Sequence, residues 1–242
     1  MPKGIFVTAT DTGVGKTVAA AAIIRSLKLS GIKVGAMKPF ETGLAMEGGE
    51  AVPSDGSFLR QAAEMDDPPE LVTPQLFKAP LAPYVASAKE GRTVDLEAVF
   101  NAYERLSRKY EFMVVEGAGG ILVPIMRRQG ECSGAYYMLD LIKDLKLASV
   151  VVARPLLGTI NHALLTVSRL LDEGVPVAGV IVSHSEPPQG SVAEETNVET
   201  LKELCPAPVI TELPYVGDVT IEKIEMMAQN CRGAIYRALM SI

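Results

Sequence analysis

The run Thr10-Asp11-Thr12-Gly13-Val14-Gly15-Lys16-Thr17 sets two glycines, a lysine and a hydroxyl side by side. That grouping suits the binding of phosphate. Gly13 and Gly15 let the backbone curl until its N–H groups point inward, and a helix starting there adds the positive end of its dipole. Lys16 supplies a point charge for outer phosphates, and Thr17 a hydroxyl for a magnesium ion bridging them. The usual pattern begins with glycine, and Thr10 stands in its place here. A helix start with ordinary turn glycines is the plainer alternative.

Three further places carry charge. Lys38-Pro39-Phe40-Glu41-Thr42-Gly43 offers a second cation and a hydroxyl. Lys38 suits a charged intermediate, or is a solvated lysine; Thr42 holds a ligand or a turn. Asp55 is a second acid or a helix cap. Glu116, ahead of Gly117-Ala118-Gly119-Gly120, stands where a nucleotide-hydrolysing fold keeps a magnesium-side acid, or opens a turn. His162 and His184 read as polar surface or capping groups.

These residues need strands and helices to bring them together. Gly4–Ala9 reads as a strand, Thr17–Ser30 as a helix ending at Gly31, and Lys33–Lys38 as a strand closed by Pro39. A helix is expected from Asp55 to Glu64. Pro68, Pro69, Pro74, Pro80 and Pro83 mark an extended segment that is neither continuous helix nor inner strand. Leu96, Val99, Phe100, Tyr103 and Leu106 recur at helical spacing within 95–109. Strands are expected at 112–115, 149–153, 177–182 and 209–210. Helices are expected at 136–146, 161–173 and 193–204, and from Thr220 onward. Strand–helix alternation with short links implies an α/β fold: a doubly wound, mostly parallel sheet with helices on both faces. Ligands then bind beyond the carboxyl ends of the strands, where the charged residues above cluster. No linker divides the chain, so one domain over 1–242 is expected.

Composition agrees. Of 242 residues, 48% are apolar and 21% charged, enough to bury a large core. The net charge of −6 argues against general nucleic-acid binding. No apolar run reaches membrane-spanning length, and no signal-peptide pattern opens the chain. Cys132, Cys205 and Cys231 are isolated and form neither a disulfide framework nor a metal-spaced pair. A reduced, cytoplasmic protein is expected.

Taken in order, the motifs resemble those of the dethiobiotin synthetase family. Thr10-Asp11-Thr12-x-Val14-Gly15-Lys16-Thr17 resembles its phosphate loop, and Lys38-Pro39-x-x-Thr42-Gly43 its second-strand motif. Phe77-x-x-Pro80-x-x-Pro83 and Ser87-Ala88-x-Glu90-Gly91-Arg92 resemble its proline-rich crossing and the turn after it. Val115-Glu116-Gly117-Ala118-Gly119-Gly120 matches its acidic glycine loop, and Gly158-x-Ile160-Asn161-His162-Ala163-Leu164-Leu165-Thr166 a later loop and helix start. The set spans about residues 5–216.

The resemblance implies ATP- and magnesium-dependent carboxylation of 7,8-diaminopelargonate by CO2. A carbamate and a carbamic–phosphoric anhydride follow, then ring closure to dethiobiotin. It implies that Gly13, Val14, Gly15, Lys16, Thr17 and Val18 hold the phosphates. Thr17, Asp55 and Glu116 would surround magnesium, with Gly117, Ala118 and Gly119 beside the nucleotide. Lys38 would bind the carbamate and the transferring phosphoryl group, and Thr12 and Thr42 would contact substrate. It also implies a homodimer in which Gly158 and Asn161 meet the substrate's distal carboxylate across the interface. Ser183 stands where some relatives carry an asparagine that reads the adenine edge. A hydroxyl cannot reproduce the amide's paired donor and acceptor. Base contact therefore falls to backbone near Ser183 and Pro214, with relaxed base selectivity. Gly13 replaces a glutamate found in some relatives. Arg154, after the fourth expected strand, has no role assigned by the resemblance. Two alternatives are a cobyrinate-synthase-like carboxylate-activating enzyme and a switch ATPase of the ParA or MinD kind. The first usually carries a glutaminase domain, and the second an extra lysine early in its phosphate loop.

Overall fold

A computed structural model describes residues 3–47, 50–52, 54–128 and 134–241. The chain runs β1 Lys3–Ala9, α1 Lys16–Lys28, β2 Val34–Met37, β3 Phe40–Thr42, β4 Ala45–Glu47, β5 Glu50–Val52 and α2 Ser54–Ala63. Then come α3 Pro69–Val72, β6 Gln75–Phe77, α4 Pro83–Lys89, α5 Leu96–Ser107, β7 Phe112–Gly120, β8 Pro124–Arg127 and β9 Ala135–Tyr137. The last third is α6 Met138–Leu145, β10 Ala148–Ala153, α7 Thr159–Asp172, β11 Val177–Ser183, α8 Val192–Leu204, β12 Val209–Leu213 and α9 Ile221–Met240.

Six strands form one parallel sheet in the order β12-β11-β10-β1-β7-β2. From β1 the chain passes out to the β2 edge and returns through β7; it then crosses β1 and builds outward through β10, β11 and β12. The winding reverses at β1, so the crevice where ligands collect lies beyond the end of that strand. The phosphate-loop sequence begins there.

The sheet is covered on both faces, and its strands are accordingly apolar throughout rather than alternating. Ile5, Phe6 and Val7 of β1 and Val150, Val151 and Val152 of β10 are all fully buried. Helix α1 packs between α2 and α9. Its Ala19–Ala22 run is fully buried, and the small side chains let it sit close to its neighbours. Asp95 caps α5 by accepting from the Ala98 N–H at 2.9 Å, and Val99, Ala102 and Leu106 face inward.

Some elements differ from the sequence expectation. The third central strand runs on to Gly120, because Val7 pairs with Glu116 and Ala9 with Gly120. Glu116 and the glycines after it therefore lie inside a strand. Helix α6 starts at Met138, since Ala135–Tyr137 pairs antiparallel with β8. The last strand extends to Leu213 by pairing along β11. The proline-rich segment is not simply extended. Pro69 and Pro83 open the short helices α3 and α4, where a missing N–H costs nothing. Between them β6 pairs in parallel with β3. Among the described residues no helix is long and apolar enough to cross a membrane. Cys205 and Cys231 are free thiols, and Cys132 lies outside the described residues.

Candidate active site

A cavity of about 500 Å³ opens at the carboxyl ends of β1, β2, β7, β11 and β12. Its phosphate side is built first from the turn between β1 and α1. Gly15 precedes α1 with φ +88, a left-handed conformation that favours glycine. A Cβ there would lie 2.4 Å from Ser183 Oγ, so glycine is required on steric grounds too. No side chain caps α1, which leaves its first N–H groups for an anion. Lys16 is buried, and its Nζ donates to the Asp11 carbonyl at 3.0 Å. Burial, reinforced by the nearby Lys38 charge, pushes its pKa down to about 8.

Beside this loop, Lys38 leaves the end of β2 with its own N–H donated to the Val72 carbonyl at 2.8 Å. Its ammonium is buried and donates to Glu116 Oε1 at 2.5 Å, Asp55 Oδ2 at 2.9 Å and the Gly117 carbonyl at 3.4 Å. Burial alone would lower the Lys38 pKa, but the Glu116 and Asp55 carboxylates outweigh it and hold the pKa above its ordinary value. Asp55, despite burial, is held below the carboxylate range by Lys38. Burial pushes the Glu116 carboxyl up, against the pull of Lys38.

Glu116 Oε1 also accepts from the Thr17 hydroxyl at 3.0 Å, while its Oε2 is buried without a hydrogen-bond partner. An orphaned carboxylate oxygen in a fully buried residue is costly unless a ligand completes it. The donors gathered here are hard oxygens: two carboxylates and a hydroxyl. Among the described residues no group of three or more His, Cys, Asp and Glu could hold a metal alone. Magnesium does not need one, because it is commonly held by one or two carboxylates together with substrate phosphates. The residues present fit that ion. Asp55 is not a helix cap: its carboxylate faces Lys38, and its backbone N–H is taken by Glu41 at 2.8 Å.

The other side of the cavity is made of strand ends and loops. Ser183 ends β11 and is 2% exposed, packed against the phosphate loop. His184 Nε2 lies 2.6 Å from Glu212 Oε1 on the neighbouring strand. Ser185 Oγ is buried with no partner. Pro214, Tyr215, Val216, Gly217 and Val219 line the cavity from the link between β12 and α9.

Of the residues singled out from sequence, Thr12, Gly13, Gly15, Lys16, Thr17, Val18, Lys38, Thr42, Asp55, Glu116, Ala118, Gly119, Ser183 and Pro214 line this one cavity. Val14 instead belongs to the core at 1% exposure, and Gly117 contributes only its carbonyl to Lys38. Gly158 and Asn161 do not line it: Gly158 precedes α7 with φ +93, and Asn161 lies in that helix's first turn. Sequence reasoning missed Phe40, His184, Ser185, Tyr215, Val216, Gly217 and Val219. The signal was available for several of them, since they follow β11 and β12 at the ligand-bearing edge. Arg154 lies close to both Asp11 of the phosphate loop, at 3.8 Å, and Glu186, at 3.6 Å.

Comparison with known proteins agrees with this geometry. The family model described as an AAA domain matches residues 3–223. An ATP-dependent dethiobiotin synthetase of Thermodesulfovibrio yellowstonii is 46% identical over 224 residues, 93% of each chain. One of Bacillus subtilis strain 168 is 41% identical over 229 residues, 94% of each chain. Among solved structures, the MinC:MinD cell division protein complex of Aquifex aeolicus superposes with a TM-score of 0.54. That match covers 99% of this chain and 96% of that one at 15% identity, a likeness of fold alone. Identity above two-fifths over nine-tenths of both chains, with a phosphate loop at the sheet's switch point, places the chain in the dethiobiotin synthetase family, the ATP-dependent cyclo-ligases of biotin synthesis.

Proposed function

We propose that this chain carboxylates 7,8-diaminopelargonate with CO2 and closes it to dethiobiotin, consuming ATP with magnesium. It does so as one phosphate-loop domain over residues 1–242, paired as a homodimer and acting in the cytoplasm on small molecules. The observation that carries the reading is the buried Lys38 ammonium at the mouth of the phosphate loop, held by Glu116 and Asp55.

The chemistry brings several anions together. One amine of the substrate adds to CO2 and loses a proton, giving a carbamate. A carbamate oxygen attacks the γ-phosphorus of ATP, and ADP leaves with the bond's electrons. The second amine then attacks the carbonyl carbon of the resulting anhydride. Its C–O bond to phosphate breaks, the attacking nitrogen gives up a proton, and a cyclic urea and inorganic phosphate are released. No protein nucleophile is needed, so the protein's contribution is placement and charge.

The loop amides from Gly13 to Val18 and the Lys16 ammonium hold the β- and γ-phosphates. Thr17, Asp55 and Glu116 would hold magnesium, which when bound would neutralise charge on the phosphate oxygens. Lys38 contacts the carbamate and the phosphoryl group as it transfers, at a point where charge grows. Thr12 and Thr42 border the diamine, and Gly117, Ala118 and Gly119 let the nucleotide approach the backbone. The base lies toward Ser183 and Pro214, contacted by backbone. Gly158 and Asn161, which do not line their own cavity, meet the carboxylate of substrate in the partner's site. The N-terminal end of α7, which no side chain caps, supplies N–H groups for it.

The test is phosphate release from MgATP and bicarbonate with and without 7,8-diaminopelargonate, with dethiobiotin identified by mass. Release that depends on the diamine, with the product mass present, is expected. Release without the diamine would instead favour a nucleotide switch. Full activity in a monomer, by light scattering, would remove the role given to Gly158 and Asn161.

A further inference from the structure

Glu41 is 3% exposed and sits in β3, three residues beyond Lys38. A carboxylate is not buried at that depth without strong partners. Two of its partners are the opening amides of α2. One oxygen accepts from the Asp55 N–H at 2.8 Å, the other from the Gly56 N–H at 3.0 Å. This is a capping interaction supplied from a distant strand, and it places negative charge at the positive end of the helix. A Cβ on Gly56 would fall 1.8 Å from Thr73 Oγ1 and 3.3 Å from Glu41 Oε2, so only glycine lets the helix start come in this close.

The contact matters because of what Asp55 does with its side chain. The backbone of Asp55 is tied to Glu41, while its carboxylate holds the Lys38 ammonium at 2.9 Å. Glu41 is itself anchored: β3 pairs with β6, Glu41 opposite Leu76, and Lys38 is fixed to the Val72 carbonyl. The proline-rich segment thus supplies the platform on which β3 rests. We propose that Glu41 is a positioning residue, which fastens the start of α2 so that the Asp55 carboxylate is presented to Lys38 and to the metal. The inference rests on the reading of Asp55 as a magnesium-side acid. Glu41 reaches the Asp55 backbone and not its carboxylate, so it acts on that group through the helix start. Loss of a direct partner of a metal-holding side chain commonly costs about 10–100-fold in metal affinity or activity, and the lower end of that range is the scale expected here.

The test uses the full chain with Glu41→Ala, Glu41→Gln and Asp55→Asn. Mn2+ is titrated by electron paramagnetic resonance against protein saturated with a non-hydrolysable ATP analogue. Dethiobiotin formation is followed against Mg2+ in parallel, with melting temperatures recorded. Glu41→Ala is expected to weaken Mn2+ binding about tenfold and to raise the Mg2+ concentration for half-maximal rate by a similar factor. Glu41→Gln keeps one acceptor oxygen, folds if the alanine variant does not, and is expected to fall between Glu41→Ala and wild type. A purely structural role would lower the melting temperature and leave Mn2+ affinity untouched. If Asp55→Asn weakens Mn2+ binding and neither Glu41 variant does, the positioning role is overturned. If Asp55→Asn binds Mn2+ like wild type, it is the assignment of Asp55 that fails, and the inference with it.

Discussion

The phosphate side of the cavity and its opposite wall are built on different principles. On the phosphate side, Lys16, Lys38, Asp55 and Glu116 bring full charges into a small buried space, and each has a named partner within hydrogen-bond range. On the opposite wall, Pro214, Tyr215 and Val216 offer loop surface, and Ser183 and Ser185, which border Gly15, offer single hydroxyls where the two sides meet. Buried charges interact strongly and are intolerant of a missing partner. Short hydroxyls and loops discriminate weakly, because they leave no large unpaired group behind when the ligand changes. On this contrast the triphosphate and its reaction are expected to be specified more tightly than the base.

The sharpest way to break that comparison is at Lys38. Lys38→Ala should lower dethiobiotin turnover by roughly 10³-fold while calorimetry shows ATP still bound, a loss at the upper range for one electrostatic group. It also strands Glu116, so the folded protein should lose about 3–5 kcal/mol, measured by urea unfolding. Adding Glu116→Gln should recover much of that stability and none of the turnover. Unchanged turnover in Lys38→Ala would remove Lys38 from the reaction.

The second prediction concerns pH. In the nucleotide-free protein Lys16 loses its proton near pH 8, because burial and Lys38 disfavour its charge. Phosphates favour the ammonium, so its pKa rises when ATP binds. Well below pH 8 both states are protonated and affinity is flat. Above it, binding must take up a proton, and affinity should fall by up to about tenfold per pH unit. Calorimetry in two buffers of different ionisation heat should show nearly one proton taken up at pH 9 and only about a tenth of one at pH 7. Equal behaviour at both would sink the claim.

Smaller effects are expected across the cavity. Turnover with ATP, GTP and CTP should agree within about tenfold. Strict preference for ATP would mean that the loop wall reads the base after all. Ser185→Ala should change KM for ATP by less than about threefold, since a single weak contact is removed. A larger loss would identify its unpartnered hydroxyl as a base or ribose contact.

The same division explains what could be read from the residues alone. Glycine spacing, a following lysine and a strand–helix context are local, and they located Gly13 to Thr17 directly. Lys38 and Glu116 were legible because they sit at strand ends on one edge of a parallel sheet. Glu41 was not, although it lies inside a quoted motif. Its importance depends on an amide fourteen positions further along the chain that only the folded state brings near. Strand β7 was expected to stop at Val115, because glycines weaken strand propensity; pairing with β1 overrides that preference. The loop wall of Tyr215 to Val219 carries no motif, only its place after an expected strand, and β12 runs beyond that expected strand before it ends beside β11.

The cavity draws its wall from Thr12 at one extreme of the chain and Val219 at the other. A nucleotide lodged there acts as a removable crosslink between segments that no peptide bond keeps together. Its presence should therefore protect the chain from proteases well beyond the loop it touches. At a hundredfold excess over its dissociation constant it adds about 2.7 kcal/mol to global stability.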